Sequence, residues 1–166
     1  YGFSSCSYHL SINPITDSYI TTTIGGSFMS NTKGGCLCGS VRYEIEGEAA
    51  ITAICHCKHC QKQAGTAFSI VMGVPRDDLQ ITEGKLKTYE DSSESGEYLH
   101  RKFCPTCGSP IMTDSGLIPD LLFIKAGTLD DASSLKPDIQ IWGAHQIPLG
   151  QLQIDAPKVD GNPPAE

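Results

Sequence analysis

The stretch Cys55-His-Cys57-Lys-His-Cys60 places three thiols and two imidazoles within six residues. Two further pairs accompany it, Cys36-Leu-Cys38-Gly39 and Cys104-Pro-Thr-Cys107-Gly108. Seven of the chain's eight cysteines therefore stand in Cys-x-Cys or Cys-x-x-Cys spacing. Metal ligands are spaced this way, because one tight turn can aim both sulfurs at a single ion. Disulfide frameworks usually join distant segments instead. Thiolates that must stay reduced to bind metal point to a reducing compartment, the cytoplasm.

Each group reaches its geometry differently. The Cys-Pro-x-Cys-Gly run from Cys104 reads as a zinc knuckle, with Gly108 supplying the positive φ that such a turn requires. Cys36 and Cys38 are two apart, so an extended chain would point both sulfurs the same way. Cys55 and Cys57 share a side by the same rule, and Cys60 joins them if the chain turns helical after Cys57. That geometry sends His56 to the opposite side of the strand and His59 off the helical face. Neither imidazole is expected to ligate the metal. The plainer role for both is at the surface or bracing the site from outside.

Seven clustered thiolates divide into four and three. Four saturate a tetrahedral ion, as structural sites do, whereas three leave a position for water or substrate, as catalytic zinc sites do. Zinc, two ions per chain, is favoured over iron or copper(I), although thiolates would bind those too. Spacing alone leaves the grouping open, since Cys36 and Cys38 can join either Cys104 and Cys107 or Cys55 and Cys57.

The elements that must position these residues read mostly as strands. "SVRYEIEG" alternates Val41, Tyr43 and Ile45 with Arg42, Glu44 and Glu46, the pattern of a half-buried strand ended by Gly47. "AFSIVMGV" (67–74) is more continuously apolar and fits an inner strand. A turn or short helical turn is expected at 75–78, followed by a short strand in "LQITEG". "LKTYED", "EYLHRKF", "DLLFIKAG" and "DIQIWG" are further strand candidates, with a short helix over Lys58–Ala64. Nineteen acidic residues against twelve basic ones give a net charge of −7, which argues against a broad nucleic-acid surface. No run approaches the roughly 18 apolar residues of a membrane span. Residues 1–28 hold no Lys or Arg and lack the charged start and apolar run of a secretory signal. Met29 is expected to be a natural initiator, with the residues before it an extension and Cys6 a lone thiol outside the metal set. The expected organisation is an N-terminal extension (1–33), one zinc-binding domain (34–157) and an irregular tail (158–166).

With the three clusters in order, the chain resembles the glutathione-dependent formaldehyde-activating enzyme family, also called centromere-protein-V-like. The resemblance runs from about Gly34 to Pro157 and rests on "GGCLCGSVRYEI", "CHCKHCQKQAGTAF", "RKFCPTCGSPI" and "IKAGTLDD". It implies a mainly β, Mss4-like fold: antiparallel sheets assembled around zinc, with few short helices. It implies that Cys36, Cys38, Cys104 and Cys107 form a structural zinc site, and that Cys55, Cys57 and Cys60 hold a catalytic zinc. It also implies a carbon–sulfur lyase that adds the thiol of glutathione to formaldehyde or a related aldehyde, giving S-hydroxymethylglutathione. Lys58, Lys62 and Arg101 are candidates for meeting the carboxylates of glutathione, and for each the plainer expectation is a solvated surface charge. His59 and His100 are candidates for proton transfer, with a structural role the stronger expectation for His100. A competing reading is a non-catalytic zinc-binding interaction module, or a thiol redox sensor, on the same fold.

Overall fold

The chain's computed structural model describes residues 31–92 and 96–148. Ten strands run through these residues in chain order. The first five are β1 (Thr32–Gly35), β2 (Arg42–Ile45), β3 (Ile51–Cys55), β4 (Ser69–Pro75) and β5 (Leu79–Glu83). The next five are β6 (Lys87–Ser92), β7 (Tyr98–Phe103), β8 (Pro110–Ser115), β9 (Leu121–Lys125) and β10 (Ile139–Ile141). One α-helix, α1 (Lys58–Ala64), and three 3-10 turns complete the described elements. The mainly β architecture with few short helices expected from the sequence is the one observed. The helix spans the expected residues, and a 3-10 turn occupies Arg76–Asp78. Among the described residues no helix is long and apolar enough to cross a membrane. The expectations for Met29, Cys6 and the tail lie outside the described residues.

The strands form a three-stranded sheet, β1-β2-β5, and a seven-stranded sheet, β10-β3-β4-β9-β8-β7-β6. All pairings are antiparallel except β10 with β3, which is parallel and departs from the antiparallel sheets expected. Asp138 fixes that parallel register. Its carboxylate accepts from the Thr52 N–H at 2.7 Å, and its own N–H donates to the Thr52 carbonyl at 2.8 Å.

Register decides which face each side chain joins, because residues directly opposite one another share a face. One face of the large sheet packs Met72, Val74, Met112, Leu122 and Ile124 against Val41, Tyr43 and Ile45 of the small sheet, forming the core. The other face mixes polar and apolar residues. Cys55 lies opposite Ser69, Val71 opposite Lys125, and Tyr89, Arg101, Thr113 and Phe123 form one row across four strands. Helix α1 lies against this second face, as its side-chain bonds to Asp91 and Arg101 show.

β1 and β8 were not foreseen from the sequence. β1 begins at Thr32 and carries two glycines. Its reason is steric: a Cβ on Gly34 would fall 2.3 Å from the Tyr43 hydroxyl and 2.5 Å from the Thr128 carbonyl oxygen. Tyr43 is fully buried and meets the Thr128 hydroxyl at 2.8 Å, so the ring cannot swing away cheaply. Gly34→Ala is therefore expected to destabilise the fold by about 2–3 kcal/mol, as an overpacked core does. A urea midpoint lowered with unchanged slope is the expected result, and an unchanged midpoint would show that the ring yields.

Candidate metal centres

Two turns facing one another gather the first four sulfurs. In one, the Gly39 N–H donates to the Cys36 carbonyl at 3.0 Å and the Cys36 N–H to the Val41 carbonyl, with Gly39 at φ 76°. In the other, the Gly108 N–H donates to the Cys104 carbonyl at 3.0 Å and the Cys104 N–H to the Ser109 carbonyl, with Gly108 at φ 75°. Cys36 and Cys38 are thus carried by a knuckle, not by the extended strand expected from their spacing. The chain must reverse between β1 and β2, and Gly39 lets it do so within the motif. The Leu37 N–H donates to the Ser109 hydroxyl at 3.1 Å, which ties the two turns together.

The sulfurs of Cys36, Cys38, Cys104 and Cys107 all lie within 4.8 Å of one another. Cys36 and Cys38 are 3.5 Å apart, and Cys38 and Cys104 are 3.9 Å apart. A tetrahedral zinc with Zn–S bonds of about 2.3 Å needs sulfurs about 3.8 Å apart, so the donor set fits the ion. Local donors favour the thiolate at two of the four, Cys36 and Cys107. The Ser109 hydroxyl and backbone bring Cys107 down to about 5. Burial opposes ionisation of Cys36, yet the Val41 N–H and the Ser40 hydroxyl bring it down to about 7.

The second group follows from a strand running into a helix. Cys55 ends β3, and Cys57 is the N-cap of α1 with extended backbone, φ −62° and ψ 150°. Its sulfur accepts from the Cys60 N–H at 3.2 Å, the usual task of a capping side chain. Gly65 closes the helix in the left-handed region at φ 65°. The three sulfurs come within 4.8 Å of one another, and no other described His, Cys, Asp or Glu joins them. All seven described cysteines are free thiols. Hydrogen bonds from Cys55 and Cys57 make Cys60 the readiest of the three to ionise, and Lys125 and Arg101 add to this by charge.

The histidines are occupied elsewhere. His56 is fully buried, so it is no surface residue. It meets the Gln140 side-chain oxygen at 3.0 Å and packs its edge on Phe68. His59 meets the Asp91 carboxylate at 2.9 Å, and His100 lies against the Tyr98 ring at a tilt, ring centres 4.8 Å apart. Gln61 donates to the carbonyls of His56 at 2.6 Å and His145 at 2.9 Å, binding the start of α1 to the segment after β10.

Arg101 departs most from expectation. It is 3% exposed, not a solvated surface charge. Its Nε donates to Asp91 at 2.6 Å, and its Nη1 lies 3.2 Å from the Gln63 oxygen and 3.9 Å from the Cys60 sulfur. Burial works against its charge, but the Asp91 hydrogen bond and Cys60 hold it firmly cationic. Lys125, which sequence reasoning missed, is 4% exposed and donates to the Ser69 hydroxyl at 3.0 Å. Burial draws its ammonium below the ordinary lysine range, and Cys60 pulls the other way. Strand alternation carried both signals: Arg101 shares its side with Leu99 and Phe103, and Lys125 shares its side with Leu121 and Phe123.

A cleft of about 640 Å³ opens beside this group. Its walls bring together Lys58, His59, Lys62 and Arg101 from the three-sulfur side, and Gly108 and Pro110 from the knuckle. Three of the sequence-named cations thus converge on one concavity, while His100 does not line it.

Fold and sulfur clusters together define a mainly β domain with two thiolate groups able to hold metal ions. The model of the glutathione-dependent formaldehyde-activating enzyme family matches residues 31–145, and the chain belongs to that family. A protein of Podospora anserina, provisionally named as such an enzyme, is 36% identical over 104 residues, covering 60% of this chain and 46% of its own length. One from Penicillium rubens, with the same provisional name, is 33% identical over 100 residues, covering 59% of this chain and 50% of its own. The chain thus spans about half the length of these curated relatives. The crystal structure of a Rhodobacter sphaeroides protein superposes with a TM-score of 0.50 at 22% identity, over 65% of this chain and 97% of that one. At that identity it speaks for the fold alone.

Proposed function

We propose that the chain is a zinc-dependent carbon–sulfur lyase that adds the thiol of glutathione to formaldehyde or a related aldehyde. In this reading Cys36, Cys38, Cys104 and Cys107 hold a structural zinc, and Cys55, Cys57 and Cys60 hold a catalytic one. The observation that carries it is that the second cluster stops at three ligands among the described residues, with His56 and His59 engaged elsewhere. When bound there, zinc stabilises the thiolate form of an incoming thiol near neutral pH.

The chain's own residues supply the rest. Lys58 and Lys62 line the cleft and offer charge to the carboxylates of glutathione, whereas Arg101 keeps its charge beside the Cys60 sulfur. The thiol sulfur adds to the aldehyde carbon, and the carbonyl electron pair moves onto oxygen, which then takes a proton. We assign the movement of that proton to His59, which lines the cleft wall and is held by Asp91. The free thiols such a centre needs belong to a reducing compartment, which we take to be the cytoplasm. NMR exchange spectroscopy of glutathione with formaldehyde tests the activity. Faster exchange between glutathione and its hydroxymethyl adduct is expected with the protein present. An unchanged rate at substantial protein concentration would reject this reading and favour an interaction module.

A further inference from the structure

Two buried cations flank a group of three sulfurs. Arg101 reaches the Cys60 sulfur at 3.9 Å from strand β7. Lys125 arrives from β9, held by Ser69, which lies directly opposite Cys55. Neither forms part of the sulfur group, and both are nearly withdrawn from water. Burying a charge is costly unless something nearby compensates it. Asp91 compensates Arg101, bonded at 2.6 Å to its Nε. No carboxylate bonds the Lys125 ammonium among the described contacts, where the Ser69 hydroxyl is its partner.

We propose that Arg101, together with Lys125, makes the fourth coordination position of the three-sulfur centre select an anionic ligand over a neutral one. The proposal rests on the open-site reading given above. Three thiolates and a dication sum to −1, and Asp91 brings the buried total to −2. Arg101 and Lys125 return it to zero, so an arriving anion meets no net repulsion. Without either cation the same anion would approach a centre of net negative charge in a medium that screens poorly. A neutral ligand is indifferent to that sum. The two lysines on the cleft wall act on distant parts of a ligand, whereas these two residues act on the ligating atom itself.

The test uses the full chain loaded with Co²⁺, whose visible absorption changes when an outside ligand enters a thiolate site. Thiocyanate serves as the anionic probe and imidazole as the neutral one. Arg101→Gln is expected to weaken thiocyanate binding on the order of tenfold to a hundredfold and to leave imidazole unchanged. Arg101→Lys, which keeps the charge, is expected to restore most of the thiocyanate affinity. Lys125→Met should shift the same probe in the same direction, and it carries the comparison alone if Arg101→Gln fails to hold cobalt. Equal losses for both probes, or no loss for thiocyanate, would overturn the proposal. If the unaltered protein takes up neither probe, the open-site reading itself fails, a result distinct from loss of selectivity in a variant.

Discussion

Replacing Cys57 with serine is expected to lower the zinc content from about two ions per chain to about one and to abolish the thiol chemistry, with the fold left standing. In the proposed reading Cys57 does two jobs, and serine keeps only one. As the N-cap of α1, its sulfur accepts the Cys60 N–H. A serine oxygen accepts that bond at least as well, so the helix keeps its cap. As a metal ligand, a neutral hydroxyl is a poor substitute for a thiolate, and only two strong donors remain at that site. Metal analysis alongside circular dichroism checks both halves. One zinc lost with the spectrum unchanged is the expected result. Collapse of the fold would mean that the three-sulfur site is structural too, removing the ground for a catalytic centre.

Cys104→Ser is expected to behave in the opposite way and unfold the domain at moderate temperature. Cys104 is fully buried within the core cluster and has the least access to solvent of the four clustered cysteines. The four-sulfur group joins positions as far apart in sequence as Cys38 and Cys104, separated by 66 residues. Clipping a loop of that length stabilises the native state by about 4 kcal/mol when reckoned as for a disulfide. Losing it would lower the melting temperature by roughly 10–20 °C for a domain of this size. Chelation of the unaltered protein should give the same drop, reversed by adding zinc back. A Cys104→Ser chain that melts as the parent does would show that the hydrophobic core suffices without the clip.

Much of this was legible because metal ligands and turns are written locally. The Cys-Pro-Thr-Cys-Gly turn, the helix over Lys58–Ala64 and the Tyr43–Ile45 alternation each depend on residues close in sequence. What stayed hidden depends on distant partners. β1 is two glycines beside a threonine and a lysine, and only the Tyr43 ring packed against them explains it. In β8, Ile111, Met112, Thr113 and Asp114 are all buried in succession, so no alternation marks the strand. Asp114 reads as a loop residue until Arg76 grips it with two hydrogen bonds, 3.1 and 2.6 Å long. The parallel pairing of β10 with β3 follows from Asp138 meeting Thr52, a contact across 86 residues. Arg101 was named from sequence as a candidate carboxylate partner, with a solvated surface charge as the plainer expectation, and its burial beside Leu99 and Phe103 rules the surface charge out.

The segment after β10 gives the molecule an optical handle. The chain has one tryptophan, Trp142, held at φ 60° and stacked on His145 with ring centres 5.6 Å apart. The carbonyl of that same histidine is gripped by Gln61, the residue next to Cys60. Its emission therefore comes from one place, two contacts away from the helix that carries Cys60 and is capped by Cys57. No second indole dilutes the signal, so changes at the start of that helix can be followed by light in the unlabelled protein.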